Sequence, residues 1–231
     1  MGDLQGHDFH GNQWTQGSEG GNRDAQVSRG DYAAIRSNTP QIAVFSENRN
    51  VQERALLAKG SAEKAMARLD KLGINTSKVR ITAVDVFPGS GRANGTLGVT
   101  LREPGISGKT REIMLNVMDR YWGRREVEQA QLFKSGTHSS ADRDHVALHE
   151  IGHALHADFM KDLKWSINDS ETARGVSRYA GTKPHEFVAE VFAAGIAGRA
   201  FDYATRELYT RFNGPHQDVV FRNTVKRSGP V

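Results

Sequence analysis

The stretch from His145 to Met160 constrains the fold more than any other, because its apolar side chains recur at a helical and not a strand period. Leu148, Ile151, Leu155 and Phe159 are three or four residues apart and form a stripe to be buried. His149 and His153 are four apart, so on the same helix they project together from another face. Gly152 offers a place where a second helix can come close. Ser139-Ser140-Ala141-Asp142 supplies a start, and the pattern predicts one helix running to about Met160.

Two imidazoles at this spacing can close on a single cation. Glu150 lies about 100° further round the helix, too far to share the ligand direction but placed to reach a water held by that cation. The division suits metal-assisted hydrolysis: neutral imidazoles hold zinc without quenching its charge, and the carboxylate takes the proton of the attacking water. The chain contains no cysteine, which excludes disulfides, thiolate metal sites and cysteine nucleophiles and leaves His, Asp and Glu as ligands. The third ligand is open. A metzincin would carry glycine at position 156 and histidine at 159, where this chain has His156 and Phe159. Glu171 follows His153 at near the spacing of thermolysin-like enzymes, without their neighbouring pattern. Glu186 is the stronger candidate: with Glu190 it forms a carboxylate pair, one helical turn apart, among Phe187, Val191 and Phe192. Such a pair on an apolar helix requires a cation or hydrogen-bond donors.

Val146-Ala-Leu-His149-Glu150-Ile-Gly-His153-Ala-Leu-His156, then Ser177-Arg-Tyr179-Ala180, then Glu186-Phe-Val-Ala-Glu190, resembles the catalytic domain of the anthrax lethal factor family over about residues 145–193. There a tyrosine precedes the third ligand by seven residues, as Tyr179 precedes Glu186. The resemblance implies a zincin-like fold and a zinc metallopeptidase acting on a peptide or protein substrate. It implies His149, His153 and Glu186 as ligands and Glu150 as general base. It further implies Tyr179 as a donor to the developing oxyanion and Glu190 as a partner of a ligand histidine.

The other histidines carry plainer expectations. His145 and His156 lie on or near the ligand face, where either would line the cleft, with His156 expected rather at the surface or beside a ligand. His185 is expected to point elsewhere on its helix. His138 and His216 fall in polar connections, and His7 and His10 lie near the start of the chain.

Elsewhere, Asn48–Leu72 has a helical period ended by Gly73, and Gly60 is expected to divide it into two helices, Ser61 capping the second. Val79–Phe87, Thr96–Leu101 and Glu112–Val117 alternate as strands do. Gly89–Gly95 lacks the Lys-Ser/Thr ending of a phosphate loop and leads into another strand, so it reads as a hairpin turn. A polar connection follows Tyr121. Further helices are expected near Asp169, from Pro184, a residue suited to a first helical turn, and over Tyr203–Phe212. The fold class is α+β: a small mixed or antiparallel sheet, the histidine-bearing helix and a C-terminal helical subdomain donating Glu186. Leu97–Leu101 is the expected sheet edge for an extended peptide.

Residues 1–30 hold seven glycines and few large apolar groups, so they read as a flexible Gly/Asn-rich arm. Residues 31–214 form the expected domain, and 215–231 a basic mobile tail. Asp8-Phe-His-Gly-Asn-Gln-Trp14-Thr15 is similar to a short segment of bacteriophage head and minor structural proteins, which implies virion proteins as partners. The N-terminus lacks the apolar core of a signal peptide, and Val191–Gly198 is too short to span a bilayer. A cytoplasmic or virion-associated place is therefore expected, with no membrane partner. The net charge of +4 is spread over isolated residues, so nucleic acid is not an expected partner. Two rival functions remain at this level: a non-catalytic phage structural module with a structural zinc, and a zinc hydrolase of non-peptide amides.

Overall fold

The computed structural model describes residues 39–86, 96–101, 110–159 and 164–222. The arm, the Gly89–Gly95 turn and the last nine residues lie outside them. Among the described residues four strands form one sheet: β1 (Gln41–Ala43), β2 (Val79–Val84), β3 (Gly98–Leu101) and β4 (Arg111–Asn116). Their order is β1-β2-β4-β3, with β1 and β4 parallel to β2 and β3 antiparallel to β4. The sheet is thus mixed, and β3 is an edge. The α-helices among the described residues are α1 (Arg49–Lys71), α2 (Arg125–Lys134), α3 (His145–His156), α4 (Ile167–Arg174), α5 (Pro184–Ile196), α6 (Tyr203–Arg211) and α7 (Gln217–Val220). The architecture is α+β. Among the described residues no helix is long and apolar enough to cross a membrane.

Helix α1 connects β1 to β2 and is a single helix. Gly60 does not divide it, because Ala55, Ala58, Ala62, Ala65 and Leu69 keep one continuous buried stripe. That burial outweighs the roughly 0.5–1 kcal/mol that a glycine costs inside a helix. Ser61 is consequently not a cap; its hydroxyl donates to Asp144 at 2.7 Å. Helix α2 occupies what read as a polar connection. Its inward face is polar, which removes the apolar period: buried Arg125 donates to the Leu57 carbonyl, and buried Gln129 donates to the Ser140 carbonyl. Strand β1, three residues long, is too short to show alternation.

The main core lies on one face of the sheet, where Leu69, Ile81, Ile113 and Leu115 meet Leu148 and Ile151 of α3 and Phe187 and Phe192 of α5. Each of these large side chains is fully buried, a transfer worth about 1.5–3 kcal/mol apiece. Val84 and Met114 form a smaller cluster on the other face with Val99 and Leu101. Helix α3 starts at His145 and passes after His156 into a 3-10 turn, Ala157–Phe159. Leu148 and Ile151 are buried as expected, but Phe159 is 51% exposed because the stripe ends with the helix.

The expected tail begins too early. Helix α7 buries Val219 and Val220, and Val220 closes over Gly195 of α5, where a methyl group would lie 2.5 Å from its side chain. The packed unit therefore extends past residue 214. A helix this short has no readable period of its own, so the sequence gives no sign of it.

Candidate metal centre

Helices α3 and α5 supply the site, and their close approach sets its dimensions. A Cβ on Gly152 would lie 3.1 Å from Phe192 and 3.3 Å from the Ala189 Cα, so the small residue lets the backbones meet. This brings Glu186, in the first turn of α5, against both histidines of α3. The carboxylate Oε2 lies 3.1 Å from His149 Nε2 and 3.0 Å from His153 Nε2. The two rings stand edge-to-face, centroids 4.6 Å apart. All three side chains are buried, and their donor atoms lie within 4.8 Å of one another. Glu171 is exposed on α4 and joins no such group.

Glu190, one turn along, is 0% exposed. Its Oε1 lies 2.9 Å from His145 Nε2 and 3.0 Å from His149 Nδ1, the latter contact off the line of a good hydrogen bond. Its Oε2 accepts from the Ser139 amide at 2.7 Å and the Ser177 hydroxyl at 2.9 Å. A buried carboxylate asks for such donors, and here it finds them.

Glu150 turns toward the sheet edge. Thr100 Oγ1 donates to its Oε2 at 2.9 Å, and a Cβ on Gly98 would lie 2.8–3.0 Å from its carboxyl arm. Gly98 and Thr100 share the face of β3 turned to α3, while Val99 joins the cluster on the opposite face. Tyr179 stacks on His149, centroids 5.6 Å apart, and its hydroxyl bonds to Glu186. Burial first, then the charges of Glu186, Glu150 and Glu190, hold that phenol protonated far above its ordinary range.

The electrostatics favour positive charge at the centre. Burial disfavours a charged His149, yet Glu186 and Glu190 outweigh it and push the ring up to about 10. Burial would raise the Glu186 carboxyl, but the His153 charge and the bonds from His149, His153 and His185 hold it well below the usual range. Glu190 behaves alike: burial opposes ionisation and His145 overcomes it. The same arrangement attracts a divalent cation. The donor set fits one: two imidazole nitrogens and a carboxylate oxygen, buried, with His153 Nδ1 finding no partner among the described residues. These residues can hold a metal ion.

Several histidines stand elsewhere than expected. His145 is buried under Glu190 and does not line a cleft. His138 is no connection residue: it stacks on His145, centroids 4.7 Å apart, and bonds Gln129 at 3.1 Å. Burial, then the His145 charge, lowers its pKa to about 3, so it stays neutral. His156 is buried and bonds the Phe212 carbonyl at 2.6 Å. His185 does not point away; its Nε2 lies 3.2 Å from Glu186 Oε1. The roles of Ser139, Ser177, Gly98 and Thr100 had no signal in the sequence, since each depends on a long-range contact.

Compared with protein families, curated proteins and solved structures, the chain matches none significantly. The site is read from its own chemistry.

Proposed function

We propose that the protein is a zinc-dependent metallopeptidase of zincin type, akin to the lethal factor family, with His149, His153 and Glu186 as ligands. The observation that carries the reading is the convergence of these three buried donors with Glu150 on the adjoining position of the same helix. Three protein ligands are the usual complement of a catalytic zinc, whereas a structural zinc is closed by four. Zinc bound there supplies a Lewis acid that polarises a carbonyl and acidifies water.

The chain's own groups do the rest. Glu150 takes the proton of the attacking water and returns it to the leaving amine. Thr100 and Gly98 hold that carboxylate against β3. Tyr179 keeps its proton and so can donate to the developing oxyanion. Glu190 fixes the His149 ring from behind. Edge strand β3, beside Glu150, is where an extended peptide would add.

The test pairs metal analysis with a peptide library. Wild-type protein is expected to carry one zinc and to cleave, while Glu150→Gln keeps the zinc and loses about 10²–10⁴-fold in kcat. Equal cleavage by both would reject the base. One zinc with no cleavage of any peptide would favour the non-catalytic or non-peptide readings.

A further inference from the structure

The Glu186 carboxylate is engaged from both sides. Oε2 faces the two imidazole Nε2 atoms of α3, while Oε1 faces Nε2 of His185 at 3.2 Å. The His185 side chain is 27% exposed against 7% for Glu186, so its ring stands on the rim and covers the outer oxygen. Its ring also lies 5.6 Å from that of His153, which places it beside the ligand cluster. Neighbours on a helix point about 100° apart, so this contact reaches sideways along the first turn of α5, which Pro184 opens. Among the described residues, the donor groups converging within 4.8 Å are His149–His153–Glu186 and His145–His149–Glu190. His185 belongs to neither. Its nitrogen addresses the carboxylate and not the point the ligands share.

A carboxylate can bind a cation through one oxygen or through both. We infer that His185 is a positioning residue: it engages Oε1 of Glu186 and so restricts that ligand to Oε2. The inference rests on the metal-centre reading and not on peptide hydrolysis. Holding Glu186 to one oxygen limits the protein to three donor atoms and leaves a position for water, the condition for a catalytic rather than a closed site.

The test titrates wild type, His185→Ala and His185→Gln with zinc against a competing chelator, and loads each with Co²⁺. Cobalt absorbs more weakly with five ligands than with four, so the visible spectrum reports whether the second oxygen has joined. Glutamine can bring an amide N–H to about the place of Nε2. The alanine variant should bind zinc about 10–100-fold more weakly and show weaker cobalt absorption, and glutamine should restore both. Wild-type affinity and spectrum in the alanine variant overturn the inference. So does a loss that glutamine fails to restore, which would make His185 itself a ligand. Should the alanine variant not fold, the glutamine variant decides: a wild-type cobalt spectrum upholds the role and a changed one overturns it. Failure of wild type to bind zinc would instead overturn the metal centre.

Discussion

Glu186 and Glu190 are the same residue type, one turn apart on the same face of α5, and both are buried, yet their surroundings differ in kind. Around Glu190 the protein supplies a backbone amide, a serine hydroxyl and two imidazoles, so both oxygens are engaged by buried groups. Around Glu186 the partners are three histidines and the Tyr179 hydroxyl, with no backbone donor among the bonds the structure shows to its carboxylate. A carboxylate saturated by fixed donors is a scaffold. One whose inner oxygen meets only imidazole Nε2 atoms can share a cation with them, because each ring that gives up its proton there offers a lone pair. On the proposed reading, this difference divides holding a metal, at Glu186, from holding its ligand, at Glu190.

Glu186→Ala is the most severe way to test that division. It should abolish stoichiometric zinc and with it any activity, whereas Glu171→Ala on the exposed face of α4 should leave both as they were. Metal analysis of the two variants side by side checks this, and a dominant effect at Glu171 would dismantle the ligand set. Glu190→Ala comes next. It should keep the metal but weaken it about 10–100-fold, and stripping two imidazoles of their buried partner should cost about 3–5 kcal/mol of stability. Zinc competition and chemical denaturation read the two effects separately. If Glu190→Ala instead lost the metal outright while Glu186→Ala kept it, the roles would be exchanged. The smallest effect is expected at Ser177, which donates to Glu190 Oε2 and accepts from the Ala180 amide at 2.9 Å. Ser177→Ala should cost about 1–3 kcal/mol and lower zinc affinity less than Glu190→Ala does. An equal loss would mean that the whole network, and not the carboxylate, orients His149.

Much of this was legible in the chain, and the parts that were not share a cause. The His149/His153 spacing, the stripe through Leu148 and Ile151, the close-packing role of Gly152 and the start of α5 at Pro184 could all be read. Helix α2 could not, because its buried residues are Arg125 and Gln129 and their partners lie on other elements. Neither could the single run of α1 through Gly60, where burial on both sides overrides a local weakness. The contacts of His138, His145 and His185 could not be read either, because no sequence period sets their rings against Gln129, Glu190 or Glu186.

What the sequence by itself determined is therefore the set of local geometries, above all that two imidazoles and an adjacent carboxylate share one helix. These follow from a 3.6-residue period acting over a few residues. Only the tertiary structure decided which distant carboxylate meets the histidines, that Gly98 and Thr100 hold Glu150, and that Glu190 is enclosed by Ser139 and Ser177. Those contacts span between 13 and 52 positions (177 to 190; 98 to 150), so they exist only once α5 has packed on α3 and β3 has paired with β4. The reason is physical: a helix period fixes direction within one element, while distance between elements is set by how their buried faces pack.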